Sequence, residues 1–374
     1  MATGAVVRLG RLLTDVSATL APDDIVQTHA DGARNARAPL LVVEPLIEFL
    51  GAHELEAPTQ LGATPIGDGH SNVTFALSTG VVLRRPPRGP LPPSAHDVLR
   101  EARLLRALQP TRVRAPRVLA VCEDPEVIGA PFYVMEQIKG DVITNSIRDV
   151  LDNPTERRRI ADELIDALVE LHAVPFAAIG LEGFGKPTGY LERQLRRFNG
   201  LWEHNRTRDV PEFERVAAWL AANLPESPPA TIVHGDYRLG NTMFAPSAPA
   251  HLTAIFDWEM ATIGDPFADV GYMMIHWMQA DDPPNLKFNL QSVTNRPGFP
   301  TRQELVARYE ERSGRSMARL DWYVTLALWK AVVFMEGNYK RAITGATDDP
   351  YLMSFGEGVV ELAGRALAVT QHGF

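Results

Sequence analysis

His234–Asn241 reads HGDYRLGN, and Asp257 follows in the stretch AIFDWEMATIGDP, sixteen residues after Asn241. Between them lie two short apolar runs, TMFA and LTAIF, separated by a proline-containing segment, a pattern that predicts two strands joined by a turn. Asn241 precedes the first predicted strand and Asp257 follows the second. Because the two strands of a hairpin start and finish at the same edge, we expect these two side chains to lie close together.

Three polar side chains around this hairpin point to specific chemistry. Asn241 and Asp257 bring together an amide and a carboxylate oxygen, which suits a hard cation such as Mg²⁺ that takes water or phosphate oxygens as its other ligands. Asp236, on the loop leading into the hairpin, is a further carboxylate that would accept a proton from a hydroxyl group. The alternative is that HGDYRLGN is only a polar turn before a strand, since Gly, Asp and Asn are common turn residues.

The composition argues against several classes of function. The formal charge of -9 and the pI near 5.6 disfavour a nucleic-acid-binding protein, which needs clustered Lys and Arg, and favour a cationic or neutral small substrate. Cys122 is the only cysteine, so no internal disulfide can form, and a reducing cytoplasm is the expected location. The sequence has no signal-peptide pattern and no uncharged apolar run of about 18 residues, so we predict a soluble protein without a membrane partner.

The periodicity of the apolar residues changes near residue 137. Upstream, APLLVVEPLIEFLGAH and SAHDVLREARLLRALQP are typical of helices, the second with a cap at Ser94, and VTFAL, VVLRR, VRAPRVLAVCED and APFYVMEQIKGD contain predicted strands. Downstream, helical spacing is found in residues 155–173, 188–204, 211–224, 301–312 and 320–342. We predict a flexible tail over residues 1–38, a β-rich N-lobe with one main helix over 39–136, and a larger, mostly helical C-lobe over 137–374.

HGDYRLGN followed by a hairpin and FDWE resembles the catalytic and metal-binding loops of the protein-kinase-like fold, in particular the aminoglycoside phosphotransferase and choline kinase branch with its H-G-D-x-x-x-x-N motif. The resemblance implies a bilobal α+β protein-kinase-like fold and an enzyme that phosphorylates a small-molecule hydroxyl group with ATP and Mg²⁺. It makes Asp236 the catalytic base and Arg238 a cation beside the γ-phosphate. Asn241 and Asp257 would bind Mg²⁺, and His234 would be a structural support.

GDGHSN, upstream, resembles the glycine-rich loop of kinases. Gly67, Gly69 and Ser71 would lay backbone N–H groups over the phosphates, although Asn72 stands where the kinase loop has its third glycine. The alternative is an ordinary hairpin turn. The position of this loop one strand ahead of VVLRR favours phosphate binding.

VVLRR carries Arg84 at the position where the kinase pattern has a phosphate-binding lysine, and Glu101 matches the helix glutamate that pairs with it. A guanidinium does not place its charge as an ammonium does, so the substitution puts the rate rather than the fold in question. A surface ion pair is the alternative interpretation of these two residues. In FYVMEQIKGD, the backbone around Glu136 to Ile138 resembles the hinge that hydrogen-bonds adenine.

A narrower resemblance, over roughly residues 60–340, is to the kinase-like domain joined to certain acyl-CoA dehydrogenases. It rests on VLRRPPRGPLPPSAHDVLREARLLRAL, VIGAPFYVMEQIKGDVI, LEGFGKPTGYLERQ and IVHGDYRLGNTMF. It implies a hydroxyacyl-CoA as the acceptor and a stand-alone kinase that serves a separate acyl-CoA dehydrogenase. An aminoglycoside or amino-alcohol kinase is the alternative. Alternatives from other classes are a nucleotide-binding pseudokinase that acts as an interaction module, and a metal-dependent hydrolase that uses His234, Asp236 and Asp257.

Other polar and aromatic residues of the C-lobe have simpler interpretations. Asp265 before Pro266 is typical of a helix N-cap, and Asp269 would lie in the first turn of that helix, so both are assigned to capping or loop support. Aromatic residues at helical spacing are interpreted first as core, with a wall of the acceptor pocket as the alternative. These residues are Trp277, Trp322, Trp329, Phe334 and Tyr339.

Overall fold

The computed structural model describes residues 21, 23–66, 72–89, 96–282, 293–345 and 350–374. The chain forms two compact units, the first made of Met1–Pro110 and Ala115–Lys139 and the second of Thr111–Arg114 and Gly140–Phe374. The sequence placed the division at residue 137 and did not predict that the short segment Thr111–Arg114 belongs to the second unit.

The first unit is built on an antiparallel sheet that packs against helices. Its elements in chain order are β1 (Ile25–Val26), α1 (His29–Gly32), β2 (Leu41–Val42), α2 (Val43–Ala52), β3 (Ala63–Ile66), β4 (Val73–Leu77), β5 (Val81–Arg85), α3 (Val98–Leu108), β6 (Val118–Cys122) and β7 (Phe132–Glu136). The strand order of the main sheet is β3-β4-β5-β7-β6. Alternation along β4 and β5 puts Phe75 and Leu83 into a core shared with Leu46 and Leu50 of α2. The hairpin predicted from VTFAL and VVLRR is confirmed.

The segment predicted as a flexible tail is folded in part. β1 and β2 pair in parallel, and α1 begins with a capping box. The buried guanidinium of Arg85 donates hydrogen bonds to the backbone carbonyls of Leu40, which directly precedes β2, and of Ile128, and so ties the start of β2 to the sheet. Burial, and then the nearby charge of Arg88, lowers the pKa of Arg85 to about 10. The prediction of a flexible tail is therefore wrong for β1 and α1, whereas residues 1–20 lie outside the described residues.

Helix α3 begins at a different residue from the one predicted. Asp97 is the N-cap, and its carboxylate accepts the Arg100 N–H at 2.9 Å, whereas Ser94 lies outside the described residues. Leu105 and Glu101 are both buried on α3, which packs against β6 and β7. A helix that is otherwise rich in arginine thus presents one buried carboxylate beside the sheet.

The second unit is mostly helical. Its elements in chain order are β8 (Asp141–Val142), α4 (Pro154–His172), α5 (Tyr190–Asn205), α6 (Pro211–Ala222), β9 (Thr231–Val233), β10 (Thr242–Phe244), β11 (Leu252–Ile255), β12 (Thr262–Gly264), α7 (Phe267–His276), α8 (Arg302–Ser313), α9 (Leu320–Ile343) and α10 (Phe355–His372). In one small sheet the strand order is β11-β10-β8, and β12 pairs with β9 in a second. Among the described helices, none combines the length and the apolar character needed to cross a bilayer.

Arg114 explains why the segment before residue 115 folds with the second unit. Its guanidinium donates hydrogen bonds to Glu163 at 2.6 Å and to Glu170 at 3.0 Å, both on α4. Its backbone carbonyl accepts the N–H of Ile255, the last residue of β11, at 2.6 Å. The segment is therefore held by α4 and β11, two elements of the second unit.

Helices α7 and α10 approach α9 closely because glycines face it. A Cβ added to Gly271 of α7 would lie 2.6 Å from the backbone of Tyr323 on α9. A Cβ added to Gly356 of α10 would lie 2.8 Å from the ring of Tyr339, also on α9. Helix α9 therefore packs closely against both α7 and α10. Helix α7 in turn carries Asp269, which contacts the HGD loop.

Candidate active site

The HGD motif lies on a tight turn directly after β9. Gly235 has a φ of 86°, a left-handed conformation that favours glycine. A Cβ at this position would lie 2.9 Å from the Cβ and from the carbonyl oxygen of Met260, two residues before β12, the strand paired with β9. The glycine is therefore required for the chain to turn from His234 into Asp236.

His234 braces this loop through both ring nitrogens. Its Nε2 lies 2.9 Å from the carbonyl oxygen of Phe256, and its Nδ1 accepts the backbone N–H of Asp236 at 3.2 Å. A carbonyl only accepts and an amide N–H only donates, so these partners place the ring proton on Nε2. Because both nitrogens are engaged within the protein, His234 holds the loop against the end of β11.

Asp269, in the first turn of α7, braces the loop from a second side. Its carboxylate accepts the N–H groups of His234 at 2.7 Å and Gly235 at 2.8 Å, and it lies 3.2 Å from His172 Nε2. His172 Nδ1 in turn lies 2.9 Å from the Tyr309 hydroxyl. Burial lowers the pKa of His172, and the neighbouring Asp269 charge opposes this effect. The loop support predicted for Asp269 is confirmed, whereas the part played by His172 was not predicted.

Asp236 and Asn241 are directly bonded. Asn241 Nδ2 donates to Asp236 Oδ2 at 2.7 Å and to the Asp236 backbone carbonyl at 2.8 Å. The other carboxylate oxygen, Asp236 Oδ1, is buried and makes no hydrogen bond within the described ranges. Arg238 Nε lies 3.5 Å from it. One oxygen thus fixes the orientation of the carboxylate, and the other retains a lone pair that can take a proton.

The predicted hairpin between Asn241 and Asp257 is confirmed, and Asp257 follows its second strand. β10 and β11 pair antiparallel with Thr242 opposite Ile255, and the Phe256 N–H donates to the Asn241 carbonyl at 2.8 Å. Asn241 and Asp257 therefore flank the same end of the hairpin. Asp257 has a φ of 64° and a ψ of 61°, a left-handed conformation that is strained for residues with a side chain. Such strain is concentrated at functional sites.

Asn241 and Asp257 are the residues of this region that suit a divalent cation. The amide nitrogen of Asn241 is turned toward Asp236, so Oδ1, the atom that can bind a cation, takes no part in those bonds. One amide and one carboxylate oxygen fit Mg²⁺ that is bound together with phosphate oxygens. In the part of the chain that the structure describes, no group of three or more His, Cys, Asp or Glu side chains is arranged to hold a metal ion.

Helix α7 supplies two further side chains, Tyr272 and His276, whose pKa values are shifted in part by the charges of the HGD loop. Burial, and then the charge of Asp236, raises the pKa of Tyr272 well above its usual value. Burial, and then the charge of Arg238, lowers the pKa of His276 to about 3, and the two rings lie 4.6 Å apart. The sequence analysis did not single out these residues. Their spacing from Asp269, which puts all three on one helix face, is the signal that would have found them.

Most of the aromatic residues considered for an acceptor wall belong to the core. Trp277, Trp322 and Trp329 are at most 1% exposed, which confirms the core interpretation for them. Phe334 differs, because 44% of it is exposed. Tyr339 lies under the guanidinium of Arg208, 4.4 Å from ring centroid to Cζ.

In the first unit, Arg84 and Glu101 form a buried ion pair. Arg84 Nε donates to Glu101 Oε2 at 2.9 Å, and a terminal nitrogen donates to the Thr74 hydroxyl at 3.2 Å. The two side chains are 14% and 2% exposed, so this is not the surface ion pair considered as the alternative. The arginine uses its planar fork to hold two partners in a fixed geometry that a lysine ammonium would not reproduce.

Of the other residues predicted to bind the nucleotide, the structure describes only those that follow β6. The Glu136 N–H, at the end of β7, donates to the Arg117 carbonyl at 3.0 Å, so this group is already engaged. β7 is an interior strand of its sheet, between β5 and β6, rather than an edge strand. Ile138 follows the strand and lies outside the ladder. Gly67, Gly69 and Ser71 lie outside the described residues.

Comparison with known proteins decides the family. Residues 62–323 match the model of the phosphotransferase enzyme family, a range that contains the HGD loop, the hairpin and the Arg84–Glu101 pair. The chain belongs to this phosphotransferase family. A crystal structure from Ralstonia eutropha, of a protein named as a candidate aminoglycoside phosphotransferase, is 29% identical, has a TM-score of 0.76, and covers 88% of this chain and 98% of its own.

Other comparisons extend the phosphotransferase assignment. Aminoglycoside 2′-phosphotransferase-IIIa in its GDP complex is 16% identical with a TM-score of 0.58, over 85% of this chain and 96% of its own, and thus shares the fold. The predicted protein-kinase-like α+β fold is confirmed. Mouse acyl-CoA dehydrogenase family member 10 is 35% identical over 84% of this chain, and human family member 11 is 31% identical over 82%. The chain spans 30% and 40% of the lengths of these two curated relatives.

Proposed function

We propose that this phosphotransferase transfers the γ-phosphoryl group of ATP to a hydroxyl group of a small molecule, with Mg²⁺ as its metal cofactor. The proposal rests chiefly on the Asp236 carboxylate, whose Oδ2 is held by Asn241 while its buried Oδ1 makes no hydrogen bond among the described residues. A carboxylate that is oriented through one oxygen and unpaired at the other is suited to accept a hydroxyl proton. Membership of the phosphotransferase family supports the reaction type.

The side chains have distinct parts in this reaction. The acceptor O–H gives its proton to Asp236 as its oxygen forms a bond to the γ-phosphorus, and the bond from that phosphorus to the bridging oxygen breaks, so that ADP leaves. Arg238, 3.5 Å from the Asp236 carboxylate, provides a positive charge beside the reacting groups. Bound by Asn241 and Asp257, Mg²⁺ would offset the negative charge of the phosphates.

The nucleotide is assigned to residues of the first unit. Arg84, held by Glu101, would bind the phosphates, and backbone groups of Glu136 and Ile138 other than the engaged Glu136 N–H would bind the adenine. The glycine-rich segment that contains Gly67, Gly69 and Ser71 belongs to the same proposal. Proteins of this fold have been crystallised with GDP and with AMP-PNP, which supports a purine nucleotide as co-substrate.

For the acceptor, we propose a hydroxyacyl-CoA. The support is that the curated relatives are named acyl-CoA dehydrogenase family members, and an acyl-CoA dehydrogenase is for the same reason the proposed partner. The alternative is an aminoglycoside or an amino alcohol, since a phosphotransferase of the same fold has been crystallised with kanamycin.

The test is a turnover assay with purified protein, Mg²⁺ and either ATP or GTP. Hydroxyacyl-CoAs, aminoglycosides and choline serve as acceptors, with nucleoside diphosphate release and the phosphorylated product both measured. We expect phosphorylation of at least one acceptor, a loss of turnover of about 10² to 10⁴ in Asp236→Asn, and nucleotide binding that is unchanged in this variant. Nucleotide binding without turnover on any acceptor would instead indicate an interaction module, and equal turnover in Asp236→Asn would remove Asp236 from the role of base.

A further inference from the structure

Helix α5 presents basic side chains that form no ion pairs within the described residues. Arg193 and Arg197 are one turn apart and therefore share a face of the helix. Arg193 donates its hydrogen bonds to the backbone carbonyls of Thr188 and Lys186, which orient its guanidinium without neutralising the charge. Arg197 is exposed and makes no hydrogen bond or ion pair with any residue in the described ranges.

Two lysines extend this basic face. Lys186 is exposed, and its carbonyl accepts Arg193, which keeps the lysine next to the helix. On α9, Nζ of Lys330 lies over the ring of Phe198, 4.8 Å from the centroid, and Phe198 directly follows Arg197 on α5. Neither ammonium group forms an ion pair with a described residue. These four cations, Lys186, Arg193, Arg197 and Lys330, are called the α5 basic surface.

The unpaired charge of this surface contrasts with other helices of the second unit. Arg308 pairs with Asp166 at 2.8 Å, and Arg158 pairs with Glu304 at 2.9 Å. Glu192, the acidic residue in the first turn of α5, forms no ion pair within the described part of the chain. A chain of net charge -9, which favoured a cationic or neutral substrate, thus has a local excess of positive charge that suits an anionic one.

An exposed aromatic ring adjoins the α5 basic surface. Phe334 lies one turn after Lys330 on α9, and its ring meets Phe198 edge-to-face at 5.3 Å between centroids. Phe334 is 44% exposed, although Phe198 is buried. Cations beside an exposed ring suit a nucleotide, because phosphates pair with the cations and a base stacks on the ring.

Contacts with β12 connect this surface to the strand that precedes the HGD loop. A Cβ added to Gly264 of β12 would lie 2.4 Å from the ring of Tyr190, the first residue of α5. A Cβ added to Gly185, just before Lys186, would lie 2.6 Å from the backbone nitrogen of Ile263. β12 pairs with β9, which leads directly into the HGD loop. The start of α5 therefore packs on the two-stranded sheet from which the proposed base emerges.

We propose that the α5 basic surface binds the phosphate groups of a CoA thioester and that Phe334 stacks on its adenine ring. The inference rests on the proposed function and deepens it, because it assigns a binding site to the part of the acceptor that does not react. CoA has a diphosphate and a 3′-phosphate, so several cations are needed to neutralise it. Its pantetheine arm separates these phosphates from the acyl hydroxyl, so the two ends bind at different places.

The test compares the CoA, dephospho-CoA and pantetheine thioesters of one hydroxyacyl chain. In the wild type, we expect KM to increase in that order as phosphates are removed. In Arg197→Met, KM for the CoA thioester should rise by about 10- to 100-fold, the range for a lost hydrogen bond to a charged group. KM for the pantetheine thioester and KM for ATP should be unchanged, because neither involves this surface.

Binding of free CoA, measured by calorimetry, gives a second readout that does not require turnover. Its affinity should fall as the salt concentration rises, and should fall by about 10- to 100-fold in Arg197→Met. Phe334→Ala should also weaken the binding of CoA. Arg215→Met is the matched control, because it removes an exposed arginine of α6 that pairs with Glu212 at 3.2 Å, and it should bind CoA like the wild type.

The outcomes separate this inference from the proposed function. Equal KM values for the CoA and pantetheine thioesters in the wild type, or unchanged CoA binding in Arg197→Met, would overturn the inference alone. Displacement of CoA by equal concentrations of ATP or of single-stranded DNA would also overturn it, because the surface would then bind any polyanion. Absence of phosphoryl transfer to every acceptor, with CoA binding that still depends on Arg197, would overturn the proposed function and retain the binding site.

Discussion

Asn241 Nδ2 donates one hydrogen bond to Asp236 Oδ2 at 2.7 Å and another to the Asp236 carbonyl at 2.8 Å. A single amide therefore fixes the carboxylate proposed as the base and leaves its own Oδ1 directed elsewhere. The proposed metal ligand and the proposed base are coupled through this group. A change at Asn241 should disturb both functions at once.

In Asn241→Ala, we expect turnover to fall by about 10² to 10⁴, the range for loss of general-base catalysis. Excess Mg²⁺ should restore only part of it, because the variant loses the orientation of Asp236 as well as one ligand. The measurement is kcat over a Mg²⁺ titration. Asn223→Ala, which removes an amide that donates to the Trp219 carbonyl on α6, is the matched control and should retain wild-type kcat. Full recovery of Asn241→Ala at high Mg²⁺ would limit Asn241 to metal binding.

Because Asp257 has a left-handed backbone, substitutions to Asn and to Ala can separate the effect of its backbone conformation on stability from the effect of its charge on Mg²⁺ binding. Asn tolerates this conformation much as Asp does, whereas Ala is disfavoured there by roughly 1 to 2 kcal/mol. We expect Asp257→Asn to unfold like the wild type and Asp257→Ala to be less stable by about that amount. Both variants should lose Mg²⁺-dependent turnover. Urea unfolding and a Mg²⁺ titration check the two parts, and a wild-type Mg²⁺ dependence in Asp257→Asn would contradict the assignment of Asp257 as a ligand.

Local patterns in the sequence predicted the elements around these residues well. The hairpin between Asn241 and Asp257 was predicted because two short apolar runs flank a turn, and pairing of such neighbours needs no distant partner. The helices α4, α5, α6, α8 and α9 begin and end within a few residues of the predicted ranges. Asp265 supports the start of α7, because its Oδ1 accepts the Phe267 N–H at 3.0 Å, but the N-cap of that helix is Pro266 and not Asp265 as predicted. Each of these features depends on neighbours in the sequence.

Features that depend on distant contacts were not predicted. Helix α10 contains Gly356, Gly358 and Gly364, which disfavour a helix locally, yet close packing of Gly356 on the Tyr339 ring requires the absence of a side chain there. His172 reaches Asp269 across 97 residues of sequence. No local pattern indicates such a pairing, because tertiary packing alone brings the two together.

The buried pair of Arg84 and Glu101 is expected to contribute both to stability and to ATP binding, and a single variant cannot separate these two effects. Arg84→Met leaves a carboxylate buried without its cation, which should lower the free energy of unfolding by about 3 to 5 kcal/mol. If Arg84 also binds phosphates, KM for ATP should rise. In the double variant Arg84→Met with Glu101→Met, we expect stability to recover while KM for ATP stays high. Urea unfolding and ATP titrations give both quantities.

The control for this pair is Arg106→Met, which removes an exposed charge from the same helix α3 as Glu101 and should change neither quantity. If the double variant regained both stability and the wild-type KM for ATP, the pair would be purely structural. Phosphate binding would then have to come from other residues of the first unit.

The lowered pKa of His276 leads us to expect that the free energy of unfolding depends on pH. Burial, and then Arg238, lowers the pKa of its imidazole to about 3, whereas the unfolded chain should titrate near pH 6.5. Between these values the unfolded state binds a proton that the folded state does not, so the free energy of unfolding falls as the pH decreases below about 6.5. From pH 7 to pH 5 this group alone should account for about 2 kcal/mol. Buried His172 acts in the same direction, and Asp265, whose pKa is raised by burial, acts in the opposite one.

The contribution of His276 is isolated by a difference between variants. His276→Gln cannot be protonated in this range, so it should lose about 2 kcal/mol less than the wild type when the pH is lowered from 7 to 5. Urea unfolding at both pH values measures this, with His372→Gln, which alters an exposed imidazole near the C-terminus, as the control. Equal losses in the wild type and in His276→Gln would show that the folded protein accommodates the charged imidazole. The buried contact between α7 and the HGD loop would then be more permeable to water than the structure indicates.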